Sequence, residues 1–183
     1  MSADVLRAGG LLAAAAFAYA AYRLVVPQRG IMRCAVAASL AFSLTDLLIE
    51  HLANVYGIWF CVGSLQVARV PLTMLVQFVF QGIGLCLVMY AIMRRRRGLV
   101  LFAEVAAMSV VLAFVLFLLE FVWRDMGVTI YARPDTWVYV LAAWNALLAV
   151  LFTTFYICVR LTVGTDGIIS KEQVLRRSRR ADG

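Results

Sequence analysis

Residues 39–54 read SLAFSLTDLLIEHLAN, and they lie within a mostly apolar run from about 34 to 56. A run of that length crosses roughly 30 Å of hydrocarbon as a helix. Ser39, Ser43, Asp46, Glu50 and Asn54 recur every three or four residues, which places all five on one helical face. Ionisable side chains facing lipid are costly, so such a stripe turns toward other helices or a wet cavity. The segment therefore reads as one span of a membrane helix bundle with its polar face inward.

Four further apolar segments flank it, at about 9–26, 71–93, 99–123 and 136–160. Composition agrees: 64 % of the 183 residues are hydrophobic and 15 % charged, against roughly 45–50 % and 25 % in soluble domains. A soluble fold of this size has too little interior to hide that surface. The expected architecture is an all-α polytopic bundle of five transmembrane helices over residues 1–163. A basic tail follows at 164–183, where Ser170 to Gln173 resembles a capping box opening a short cytoplasmic helix.

The formal charge of +7 does not point to nucleic acid, because basic and aromatic residues are not interleaved as a stacking platform requires. Lys and Arg instead cluster beside the apolar runs, at Arg23 to Arg33, Arg94 to Arg97 and Arg160 to Arg180. The positive-inside rule then puts the N-terminus outside and the C-terminus inside, with Arg7, Arg69, Arg124 and Arg133 on the outer side. Arg7 and the alanine-rich run ending in Ala18-Tyr19-Ala20 resemble a secretory signal. Cleavage would worsen the charge bias, so the first segment is expected to be retained. The expected location is a bacterial inner membrane, with membrane lipids as partners and a homo-oligomer as an open alternative to a monomer.

Cysteine and histidine remove several chemistries. Cys34, Cys61, Cys86 and Cys158 form no C-x-x-C pair, and His51 is the sole histidine, so thiol redox, haem and di-iron chemistry lack their ligands. No phosphate-cradling glycine motif or G-x-S-x-G elbow occurs. Neither a metal nor a cofactor is expected.

The stripe supplies the candidate chemistry. By helical rise, Asp46 lies about 18 Å and Glu50 about 24 Å from the inner end of their span. Two carboxyls one turn apart in low dielectric do not both ionise cheaply, and one that keeps its proton can act as a general acid. The same pair could instead form a hydrogen-bonded clamp between helices. Facing candidates are Gln77 and Gln81 on the third span and Asn145 on the fifth. Glu120 and Arg124 near the end of the fourth read as an interfacial salt bridge or a substrate contact. Trp59 follows Gly57 beside the stripe, where an aromatic face can stabilise a cation. Trp123 and Trp137 read as interfacial belt residues. An internal echo also appears: Glu50-x6-Gly57 before Pro71 and a helix parallels Glu120-x6-Gly127 before Pro134 and a helix.

Ala53-Asn54-Val55-Tyr56-Gly57-Ile58-Trp59-Phe60, followed by Pro71-Leu72-x-x-Leu75-x-x-Phe78, resembles the small integral-membrane lycopene (carotenoid) cyclase domain over about residues 46–78. The resemblance implies a helical membrane fold, internal duplication and cyclisation of lipophilic polyenes by protonation without a redox cofactor. Where that family follows its proline with paired glutamates, this chain has Thr73 and Met74.

The leading expectation is a cofactor-independent cyclase or isomerase acting on an isoprenoid-like or lipid substrate in the outer half of the bilayer. Asp46, Glu50 and Glu120 would be the catalytic acids, and Asn54, Trp59, Gln77, Gln81, Arg124 and Asn145 would contact the substrate. The alternatives are a small transporter or channel subunit with Asp46 and Glu50 as a proton or cation relay, and a non-catalytic subunit whose stripe only specifies packing.

Overall fold

The computed structural model describes residues 2–96 and 98–163. The expected basic tail helix and its capping box lie outside the described residues. Five helices long and apolar enough to cross a membrane make up most of the described chain, as an integral membrane protein requires. They are α1 (Ala3–Val25), α2 (Arg29–Val55), α3 (Leu72–Met93), α4 (Gly98–Asp125) and α5 (Thr136–Val163).

Two boundaries differ from the apolar runs in a way that matters. The first helix begins at Ala3 and the second at Arg29, so both extend through arginines that hydropathy treats as flanks. Hydropathy reports the solvent a segment prefers, whereas helix ends are set by backbone hydrogen bonding. Arg7 consequently sits inside α1, one turn from its start.

The fold is not purely α-helical. Beyond α2, the three-residue strand β1 (Trp59–Cys61) is followed by β2 (Gln66–Val67) and β3 (Val70–Pro71), which pair with each other; β4 (Thr129–Tyr131) follows α4. Strands this short carry no readable alternation. β1 and β4 pair antiparallel, with Trp59 opposite Tyr131, Phe60 opposite Ile130 and Cys61 opposite Thr129. They join the two long connections at one end of the bundle.

The echo in the sequence has a structural counterpart here. Both α2 and α4 close in a left-handed glycine, Gly57 at φ 61° and Gly127 at φ 71°. The amide of Gly57 reaches Asn54 and that of Ile58 reaches Ala53; Gly127 and Val128 reach Arg124 and Trp123 likewise. This is the Schellman closure, and glycine supplies its positive φ without a Cβ clash. The strand pair is centred on Phe60 and Ile130, which are each other's counterparts in the echo. A local two-fold axis therefore relates the two turns, and it relates Glu50 to Glu120.

The packing breaks this symmetry. α2 packs extensively along both α3 and α5, and α1 along α3. The counterpart of the α2–α5 seam is α4 against α3, and those two helices barely touch. The bundle is thus closed on one side and parted on the other, between α1 and α4 over the face of α3.

The closed side depends on small residues. A Cβ at Gly82 of α3 would lie 2.8 Å from Ser39 Oγ and 3.2 Å from the Ser39 Cα of α2. The nearest backbone cannot yield as a flexible side chain would, so Gly82→Ala should push the α2–α3 seam apart and cost about 1–3 kcal/mol. A lowered midpoint in thermal unfolding of the detergent-solubilised protein is the expected result; an unchanged midpoint would mean the seam is looser than its geometry.

Candidate functional site

The stripe of α2 is buried along its whole length, but its members do different work. Ser39 Oγ donates to the Ala35 carbonyl at 2.6 Å, Ser43 Oγ to the Leu75 carbonyl of α3 at 2.9 Å, and Asn54 Nδ2 to the Glu50 carbonyl at 2.8 Å. These three are committed to backbone. Glu50 Oε2 accepts from the Trp59 indole at 2.7 Å and from the Cys61 thiol at 3.1 Å. Asp46 is only 2 % exposed, and its Oδ2 has no hydrogen-bond partner among the described residues. A buried polar atom without a partner costs about 1–3 kcal/mol, so it is unusual in a purely structural position.

Asp46, Glu50 and Trp59 line one side of a small chamber of about 20 Å³, and Glu120, Thr129 and Trp144 line the other. Glu120, Thr129 and Trp144 also border a second, larger space of about 510 Å³, within the usual range for small-molecule sites. This cleft fills the gap between α1 and α4. It runs from Arg7 to Phe17 along α1 and from Glu120 and Trp123 to Leu112 along α4, a depth of roughly 15 Å at 1.5 Å per residue. Arg7, Glu120 and Thr129 lie at its β1–β4 end, Gln77 and Gln81 follow along α3, and its far end, at Phe17, Leu85 and Leu112, is apolar.

Arg7 is the residue that sequence reasoning missed. It is 5 % exposed, with Nε donating to the Val62 carbonyl at 2.7 Å and Nη2 to the Val128 carbonyl at 3.0 Å. The Val62 amide itself donates to the Val128 carbonyl, so one guanidinium holds both interhelical connections at the point where they meet. Its charge acts on Asp46, Glu50 and Glu120 together. From sequence alone it reads as an outer-side arginine or as the basic start of a secretory signal. The available clue was its place among Val5, Leu6, Leu11 and Leu12, where a charge needs partners.

The expected site residues divide accordingly. Asp46, Glu50 and Trp59 meet in the chamber, Gln77 and Gln81 line the cleft, and Glu120 borders both. Asn54 is buried but turned to its own helix, outside either cavity. Asn145 is exposed and donates to the Leu141 carbonyl at 2.8 Å; the fifth helix is rotated so that Trp144, not Asn145, faces inward. Arg124 does not pair with Glu120. It bonds Asp125 at 2.9 Å and covers the rings of Phe121 and Tyr131 at 5.0 and 5.7 Å. Its long stem carries the charge past the helix end while Glu120 turns inward. Trp123, expected in the interfacial belt, lines the cleft, as does Trp144, which packs edge-on against Phe78 at 5.6 Å. Glu104 pairs with Arg96 at 2.8 Å, far from this site.

At the strand pair, burial and then the neighbouring Glu50 charge push the Cys61 thiol well above its ordinary range. Burial, followed by Glu120, holds the Tyr131 hydroxyl up at about 12. The thiolate is the reactive form. With the thiol's value raised, Cys61 stays protonated as pH climbs through the usual cysteine range, so maleimide labelling followed by intact mass should leave it unmodified near pH 8.5 in the folded protein. Rapid labelling at that pH would show that β1 opens readily.

Chemically, the arrangement sets a carboxyl at the polar end of an apolar cleft, backed by two more carboxyls and one fixed cation. Among the described residues, no three His, Cys, Asp or Glu side chains gather as metal ligands. Comparison with family models, curated proteins and solved structures gives no match to this chain.

Proposed function

We propose that the protein is an intramembrane enzyme that protonates an unsaturated lipophile, isoprenoid-like or lipid, and drives its cyclisation or isomerisation. The observation that carries this reading is the position of Glu120, which borders both the cleft and the carboxyl chamber. The lipophile lies in the cleft with its reacting end toward Arg7 and Glu120. Glu120 gives its proton to an alkene carbon or an epoxide oxygen, leaving a carboxylate and a cation. The faces of Trp123 and Trp144 stabilise that cation, Gln77 and Gln81 orient the chain, and loss of a proton back to the carboxyls yields the isomer. No redox step is needed.

The sequence adds support from two sides. Arginine asymmetry favours an orientation with the cleft toward the outer face, and the reading takes the membrane to be a bacterial cytoplasmic one. The resemblance to lycopene cyclase domains points to the same chemistry, and Met74, at a position that family fills with glutamate, lines the cleft near Glu120. A stripe that served packing alone would leave no reason for the unpartnered Asp46 oxygen.

The test is mass spectrometry of lipophiles that co-purify with the wild type and with Glu120→Gln, each expressed in the same host. The variant should retain a precursor that the wild type converts to an isomer of equal mass and different retention. Identical lipophiles in both preparations would overturn the reading.

A further inference from the structure

The chamber behind Glu120 holds a second, smaller site. Its volume of about 20 Å³ is room for one water molecule and little else, since one water needs roughly 10–15 Å³ of this space. Polar atoms line it from two sides: the Asp46 and Glu50 carboxyls of α2, and Glu120 and Thr129 of the other half of the fold. Asp46 Oδ2, nine-tenths buried and more, lacks a protein partner among the described residues. Glu50 Oε2 is already occupied by the Trp59 indole and the Cys61 thiol, which fixes that carboxyl in place beside the chamber. A small cation fits the site less well, because the carboxyls do not converge as ligands and the Arg7 charge already acts on all three.

We infer that the chamber binds a single water that bridges Asp46 to Glu120 and makes the two carboxyls one proton-sharing unit. Asp46 does not border the cleft, so it never meets the substrate; it acts through Glu120. When Glu120 has given its proton away, the water passes one proton to Glu120 and takes one from Asp46. Asp46 is left as the carboxylate, further from the substrate and beside Glu50. The proton released when the substrate cation collapses returns along the same path, so none is consumed. The groups around the chamber have parts too: Arg7 from α1, outside the chamber wall, offsets the charge left behind, and Glu50 from α2 is kept as a fixed acceptor by Trp59 and Cys61 of β1. Thr129 of β4 can hold the water in place, and Tyr131 of β4 stays a neutral phenol beside Glu120. The relay owes its purpose to the proton-transfer reading above, but the water site stands on its own geometry.

The experiment is infrared spectroscopy of the carboxyl stretch in the purified, full-length protein, with no substrate added. Loss of a band in Glu120→Gln identifies the Glu120 carboxyl. Asp46→Asn should then shift that band, and substituting D2O should shift it again in the wild type. Filling the chamber by Ala143→Val, which leaves every carboxyl in place, should abolish the effect of Asp46→Asn on Glu120. Val140→Ile lines the same chamber and serves if the first filler does not fold. A Glu120 band that ignores Asp46→Asn, or one that still responds after the chamber is filled, overturns the bridge. These outcomes need no turnover, so failure of the relay and failure of the enzymatic reading are separable.

Discussion

Arg7→Met should lower stability by about 3–6 kcal/mol, the loss of two buried hydrogen bonds from a charged donor at roughly 1.5–3 kcal/mol each. The methionine keeps the apolar stem, so the loss isolates the guanidinium. Two carbonyls, Val62 and Val128, lose their side-chain donor, and three carboxyls lose the cation that acts on them all. The two connections meet at this guanidinium, so β1 and β4 should part and α1 should detach from its end. Arg7→Lys should recover only part of the loss, because an ammonium cannot reach both carbonyls in the fixed fork of a guanidinium. Arg124→Met is the control: Arg124 is 41 % exposed at its side chain, and surface changes usually stay within about 0.5 kcal/mol. Thermal unfolding in detergent, with protease sensitivity of the 57–71 connection as a second readout, measures all three. An Arg7→Met protein as stable as Arg124→Met would mean the guanidinium is decorative.

The contrast between Arg7 and the α2 stripe shows what the sequence makes legible. Asp46 and Glu50 stand out because they violate an apolar period on a helix whose buried face can be counted from spacing alone. Arg7 violates a similar run, but near a chain end a basic residue has a ready explanation as a topology signal. Its partners are backbone carbonyls in two distant connections, which no spacing rule reports. The same limit explains Asn145 and Trp144. They are adjacent in sequence, so only the rotation of α5 against α2 decides which of them faces inward. The echo around Glu50 and Glu120 was visible as a pattern of glutamate, glycine and proline. Its consequence, two carboxyls related about the β1–β4 pair, required the register of strands too short to be read. Sequence therefore located the carboxyls, and packing decided which of them touches the cleft.

That distinction gives the second large effect. On the proposed enzymatic reading, Glu120→Gln should reduce conversion of a co-purifying lipophile by about 10²–10⁴, the usual contribution of a positioned general acid, while leaving stability and cleft occupancy near wild type. Glutamine keeps the size and one acceptor, so its amide oxygen can still accept from the Thr129 hydroxyl that bonds Glu120. Glu50→Gln should behave differently. Its Oε2 is the shared acceptor for Trp59 and Cys61, so an amide there must keep its oxygen toward both and bury an NH2 group with no evident acceptor. Burying that donor costs about 1–3 kcal/mol, to be read as a lower unfolding midpoint and faster labelling of Cys61. Single-turnover conversion, unfolding midpoint and Cys61 labelling measured on both variants separate chemistry from scaffold. Full conversion by Glu120→Gln alongside an inactive but stable Glu50→Gln would move the proton donor from the cleft wall to the chamber. A chamber of about 20 Å³ admits no lipophile, so the proton itself would then have to pass from the chamber to a substrate held in the cleft.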